Sequence, residues 1–269
     1  MNRASASAKL NLALVVGPPR AEGPHEVATV LQRVDLADRL ELEAADRLRV
    51  TGFAEDTLVT RALELLAAAA GVEPRWRVKI EKRIPVAAGL GGGSTDAATA
   101  LALANDTLDE PLPHERLHEL AAELGADVPF FLTSGPQLAT GDGRDLEPLE
   151  LPQDFWIVLV LPRETRKQST AAVYAAFDDK GGFEERRAEL LDTLASVRRA
   201  TDLAALPPND LASSPLADDL RAAGAFRADV SGAGPAVYGL FVRERDARAA
   251  ADVLEPRGRV WVTAPAWYG

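Results

Sequence analysis

The chain contains no cysteine, so disulfide scaffolds and thiolate metal centres are excluded outright. Histidine is scarce too, at three residues in 269, which leaves few imidazoles for a metal cage. Basic residues are outnumbered: 30 Lys and Arg against 41 Asp and Glu give a formal charge of -11. Duplex binding needs a basic face, so nucleic acid is not an expected partner. No run approaches the ~18 uninterrupted apolar residues of a membrane span, and the alanine-rich stretch 63–71 is too short for one. The first sixteen residues, MNRASASAKLNLALVV, faintly resemble an export signal. However, Lys9 and Asn11 interrupt the apolar run and no small-residue cleavage site follows. A cytoplasmic location is the expectation.

What is present describes an ordinary folded protein, 47% hydrophobic and 26% charged, long enough for two modest domains with their own cores. Leu10, Leu12, Leu14 and Val16 alternate and predict a strand over 8–16, ended by Gly17, Pro18 and Pro19. Further strands are predicted at 27–34, 38–44, 75–83, 128–132, 137–140, 156–161 and 260–263, with a strand–turn–strand unit over 228–242. Helical spacing predicts helices at 58–70, 94–104, 113–124, 169–178, 183–199, 215–224 and 244–254. Residues 148–154 read as a junction between halves 1–150 and 151–269. The fold class is α+β.

The segment 85–96 reads PVAAGLGGGSTD. It follows a strand and precedes a helix. Glycines at 89, 91, 92 and 93 raise unfolded-state entropy, so stability does not explain them. They open backbone conformations closed to other residues and let a ligand approach the main chain. Successive N–H groups in such a loop form an anion nest, and the following helix adds its positive end. Ser94 and Thr95 are placed to cap that helix or to reach a phosphate or magnesium. No Gly-Lys-Ser/Thr follows, so this is not a Walker A loop, and Ser94 stands where the dinucleotide fingerprint needs its third glycine.

Together with Ala6-Ser7-Ala8-Lys9-Leu10-Asn11-Leu12 and Ser231-Gly232-Ala233-Gly234-Pro235, the loop resembles the three ordered motifs of the GHMP kinases. Glu81-Lys82-Arg83-Ile84-Pro85, Gly125-Ala126-Asp127-Val128-Pro129-Phe130-Phe131 and Asn209-Asp210-Leu211 narrow the resemblance to the 4-diphosphocytidyl-2-C-methyl-D-erythritol kinases. The resemblance implies a two-domain GHMP kinase fold, with an N-terminal half like ribosomal protein S5 domain 2 and a ferredoxin-like C-terminal half. It implies ATP and Mg²⁺ as cofactors, with Ser94 the candidate side chain for the metal. It implies catalysis by Lys9 and Asp127. ATP would be held by Thr57, Leu58, Lys82, Pro85, Val86, Ala87, Ala88, Gly89, Leu90, Gly91, Gly92, Gly93, Ser94 and Thr95. Substrate would be held by Asn11, His25, Tyr174, Gly232 and Gly234. The chemistry agrees: phosphoryl transfer needs positioning, charge neutralisation and a carboxylate for the acceptor's proton. The chain departs from the family pattern at Pro24, where a stacking tyrosine is usual, at Thr57 in place of an asparagine, and at Ser7 in place of a proline.

The expected partners are ATP and a cytidylyl-linked polyol, with no nucleic acid and no membrane, in a monomer or homodimer. Alternatives are another GHMP kinase of homoserine or sugar type, and a nucleotide-binding module without catalysis, which intact Lys9 and Asp127 speak against. His114-Glu115-Arg116-Leu117-His118 also fits the H-E-x-x-H zinc-hydrolase pattern. It falls in the first turns of a helix opened by Pro113, with no third-ligand pattern behind it, and reads as a solvated helix face.

Overall fold

The structure, a computed structural model, describes residues 2–20, 25–53, 58–163, 170–177 and 181–266. Two long strands, β1 (Asn2–Pro19) and β2 (His25–Ala44), form an antiparallel ribbon with bulges near 7, 12 and 17. The sequence pattern splits β2 at 35–37, but the strand is continuous. Its other edge changes partner instead. β4 (Trp76–Glu81) pairs with 39–44 and β5 (Gln137–Gly141) with 27–31. Between them, 33–35 meet the end of the chain, Asp35 N–H donating to the Ala264 carbonyl at 2.8 Å. Short edge strands β3 (Arg49–Thr51) and β6 (Asp145–Pro148) complete this sheet. β3 has too few residues to show a period.

Three helices pack on one face: α1 (Leu58–Ala70), α2 (Gly92–Asn105) and α3 (His114–Leu124). In α1 the buried Val59, Ala62, Leu63 and Leu66 recur at helical spacing and form the apolar stripe. The predicted strand at 128–132 is instead a 3-10 turn, Pro129–Leu132. Proline at its start presets a helical φ and removes a ladder donor, and a short apolar run has no period to separate strand from helix.

β7 (Trp156–Pro162), β8 (Arg227–Val230), β9 (Val237–Phe241) and β10 (Gly258–Thr263) form a second antiparallel sheet in the order β10-β7-β9-β8. Around it lie α4 (Thr170–Ala175), α5 (Phe183–Ser196), α6 (Pro215–Ala222) and α7 (Glu244–Leu254). α5 stops short of the predicted 199, and a 3-10 segment, Ala200–Ala205, follows. One core is shared by both halves: Leu10, Leu12 and Val30 pack with Ile157, Leu159, Tyr238 and Leu240. Residues 6–17 are therefore buried throughout rather than on one face. The run that resembles an export signal is a buried strand paired with β2. No helix among the described residues is long and apolar enough to cross a membrane.

Candidate active site

Lys9 emerges from β1 almost fully buried, its backbone N–H donating to the Leu90 carbonyl at 3.0 Å. Its ammonium donates to Asn11 Oδ1 at 2.7 Å. Asn11 Nδ2 donates in turn to Thr29 Oγ1 at 2.8 Å, and Thr29 Oγ1 to the Ala13 carbonyl at 2.7 Å. This relay crosses the ribbon at its bulge, a feature that re-aims side chains beside a site. Asn11 thus has both ends of its amide engaged in orienting Lys9. Lys9 Nζ lies 3.4 Å from Asp127 Oδ2, and the Asp127 side chain keeps 44% of its surface exposed against 5% for Lys9. Asp127 follows α3 and precedes the Pro129–Leu132 turn, not a strand as its sequence context suggests.

The glycine-rich loop borders a cleft of about 850 Å³. Residues 85–94 line it, with Lys9, Asn11, His25, Leu58, Lys82, Asp127, Tyr174 and Gly232. Gly91 caps α2 in the left-handed region at φ 70°, and a Cβ there would meet Phe131 Cζ at 2.8 Å and Lys9 Cγ at 3.0 Å. Gly89 has φ 81°, and its Cβ would lie 2.2 Å from the Ser231 carbonyl oxygen. α2 begins at Gly92, so Ser94 and Thr95 fall inside its first turn and neither caps it. Ser94 lines the cleft; Thr95 is buried and does not. Gly234 is likewise outside the lining, where Ala233 appears instead. Thr57 and Pro24 lie outside the described residues.

The three motifs interlock. Ser231 Oγ donates to the Gly89 carbonyl at 3.0 Å and accepts the Asn11 N–H at 3.4 Å. Ala236 N–H donates to the Ala88 carbonyl at 3.0 Å. Asn209, unassigned in the sequence reading, donates both amide hydrogens, to Val230 O at 2.9 Å and to Gly232 O at 2.7 Å. It holds the third motif against Lys9. At the opposite end, Lys82 Nζ donates to Asp38 Oδ2 at 2.5 Å and Asp96 Oδ2 at 2.7 Å. Burial raises the Asp96 carboxyl to about 7 against the pull of Lys82. Burial opposes the Lys82 charge as well, yet the two carboxylates outweigh it and raise its pKa.

His25 Nδ1–H donates to the Gly17 carbonyl at 2.8 Å, which leaves Nε2 as an acceptor in the neutral ring. The His25 ring sits 5.7 Å from Tyr174 and 5.7 Å from Phe177. Phe177 is a third aromatic of this corner that the sequence reading missed. Burial pushes the Tyr174 phenol up to about 12, with the Asp127 carboxylate adding to the shift. His114 and His118 lie elsewhere, their rings tilted by 52° with centroids 4.5 Å apart, and His114 Nε2 is 3.1 Å from the Leu132 carbonyl.

Residues 57–135 match the GHMP kinases N terminal domain and 182–258 the GHMP kinases C terminal domain. A 4-diphosphocytidyl-2-C-methyl-D-erythritol kinase of Chlorobium chlorochromatii is 35% identical over 97% of this chain and 96% of its own length. One of Pelotomaculum thermopropionicum is 39% identical, with 92% of each chain covered. A crystal structure of 4-(cytidine 5'-diphospho)-2C-methyl-D-erythritol kinase superposes with a TM-score of 0.81 at 32% identity, covering 98% of this chain and 99% of that one. Homoserine kinase from Cytophaga hutchinsonii, at TM-score 0.75 and 17% identity over 98% of this chain and 96% of that one, shares the fold. With such identity running nearly end to end, and with the two halves of a GHMP kinase in order, the chain belongs to the 4-diphosphocytidyl-2-C-methyl-D-erythritol kinases of the GHMP kinase superfamily.

Proposed function

We propose that the chain transfers the γ-phosphoryl group of ATP to the 2-hydroxyl of 4-diphosphocytidyl-2-C-methyl-D-erythritol, a step toward isoprenoid precursors. The observation that carries this reading is the Lys9–Asp127 pair at 3.4 Å beside the glycine-rich loop. Asp127 is exposed enough for an acceptor hydroxyl to reach it, orients that hydroxyl and takes its proton. The hydroxyl oxygen forms the new bond to the γ-phosphorus, the bond to the β–γ bridging oxygen breaks, and ADP leaves. Lys9, fixed by Asn11, neutralises the charge that develops on the transferred group. The N–H groups of the loop and the start of α2 hold the phosphates. His25 and Tyr174 serve the cytosine end: Nε2 accepts from the base's amino group and the phenol ring supplies a stacking face.

Among the described residues no group of three His, Cys, Asp or Glu side chains is arranged to hold a metal ion. Magnesium would enter on the phosphates and need few protein ligands; the Ser94 hydroxyl, which lines the cleft, would be the one to hold it. When bound, the ion neutralises phosphate charge. The test is turnover of the purified chain with ATP against 4-diphosphocytidyl-2-C-methyl-D-erythritol, homoserine and mevalonate, read by phosphorus NMR. Phosphorylation of the cytidylyl acceptor is expected. Phosphorylation of homoserine or mevalonate in its place would overturn the reading.

A further inference from the structure

Asp38 is completely enclosed. Its Oδ1 accepts two consecutive backbone N–H groups, Arg83 at 2.5 Å and Ile84 at 2.8 Å, and its Oδ2 accepts Lys82 Nζ at 2.5 Å. The same ammonium reaches Asp96 Oδ2 in α2 at 2.7 Å. Asp96 is 2% exposed and its Oδ1 has no protein partner. The loop that would hold the phosphates leaves the sheet at 82–84 and enters α2 before 96, so one ammonium joins its two feet. The joint is tight: a Cβ at Gly92 would lie 3.1 Å from Ile84 Cγ2 and 3.3 Å from Lys82 Nζ.

A lysine that meets phosphate needs charge to spare. Lys82 faces two buried carboxylates, and a buried charge stripped of its partner is costly. We infer that Asp38, Lys82 and Asp96 form a buried tie that sets the gap between the two feet of the phosphate loop, and that Lys82 governs nucleotide binding through loop geometry instead of meeting the phosphates with its charge. These are positioning residues. The inference rests on the ATP-binding reading above and revises the place of Lys82 within it.

The two roles predict opposite signs for Asp96→Asn. If Lys82 met the phosphates, removing a competing carboxylate would free it and tighten ATP binding. If it ties the loop, the same change weakens one charge-assisted hydrogen bond, and ATP affinity should fall by about three- to tenfold. Lys82→Met strands two carboxylates, so ATP affinity should fall about tenfold or more. ADP should weaken by a similar factor, because the loop and not one phosphate is disturbed. In the Lys82→Met background Asp96→Asn should bring no further loss, in contrast to its effect in the wild type. Calorimetric ATP and ADP affinities, with ATP and acceptor KM measured on the same preparations, test this. The ATP KM should rise while the acceptor KM stays put, a split that general loosening of the fold would not give. ATP affinity unchanged or tighter in Asp96→Asn overturns the tie, as does a loss in Lys82→Met confined to ATP. The single Asp96→Asn variant decides the matter even if Lys82→Met does not fold. Absence of ATP binding by the wild type would instead sink the kinase reading.

Discussion

Replacing Gly93 by alanine should stabilise the protein and damage its site at once. Gly93 lies in the first turn of α2, outside the left-handed region, and a Cβ built on it meets nothing within 4 Å. Alanine is favoured over glycine in a helix by up to about 1 kcal/mol, and about 1 kcal/mol moves Tm by roughly 2–4 °C in a domain of this size. The free protein should therefore melt about 1–4 °C higher. Gly93 also lines the cleft, where the loop's N–H groups would receive the phosphates. A methyl group forced into a filled site costs about 1–3 kcal/mol, so ATP affinity should fall by roughly 5- to 150-fold. Gly91→Ala is the contrast. Its left-handed φ of 70° costs about 1–2 kcal/mol for alanine, and the methyl would overlap Phe131 and Lys9, so it should lower Tm. Scanning calorimetry of the free protein and titration with ATP read both signs. If Gly93→Ala binds ATP like the wild type, the phosphates do not approach that turn and the nest reading fails there.

Asp127→Asn should lower kcat by about two orders of magnitude or more with ATP affinity little changed; near-normal turnover would remove Asp127 from the chemistry. Tyr174→Ala should raise the acceptor KM about tenfold or more, since stacking on an aromatic is worth about 1–3 kcal/mol per base; an equal KM in variant and wild type would take the aromatic corner out of base recognition. Burial first, then the neighbouring His114, holds the His118 imidazole below its ordinary value of 6.5. The unfolded chain then binds a proton that the folded chain refuses, and stability is lost as pH falls below about 6.5. His118→Leu should flatten that part of the Tm–pH curve, and unchanged slopes would refute the assignment.

The glycine-rich loop and its flanking strand and helix were legible because their signals are local: glycine density, an alternating run before it, an alanine-rich helical run after it. Lys9 and Asp127 came from motif resemblance, and the fold brings them together across 118 positions of sequence by packing α3 and the Pro129–Leu132 turn against α2, which itself lies on the ribbon. What the sequence hid was the support. Asp38 is one aspartate in a strand, 44 residues from Lys82, and nothing near it suggests that it closes the phosphate loop. Asn209 was visible as part of a motif, but its grip on Gly232 depends on β8 and β9 turning back toward β1. The continuity of β2 escaped because a strand whose edge partners change midway carries no single alternation. Residues 128–132 misled for a related reason, since five apolar residues fit a strand and a helical turn equally well.

A protein of charge -11 that handles a nucleotide triphosphate must find its attraction somewhere. Among the described residues lining the cleft, the lysines are Lys9 and Lys82, and Asp96, Asp127 and Asp142 line it too. Lys9 already faces Asp127, and Lys82 faces two carboxylates. Among the described residues, free side-chain cations therefore do not supply the pull. The remaining sources are the N–H groups of the loop and the positive end of α2, together with whatever cation the nucleotide carries. Backbone donors act only if their geometry is held, because each contributes a fraction of a charge and several must converge. That places the demand on the elements that hold the loop: Asp38 and Lys82 at its feet, and Ser231 and Ala236 against its middle. In this site rigidity substitutes for charge, which is why the two cleft lysines can stay paired with carboxylates.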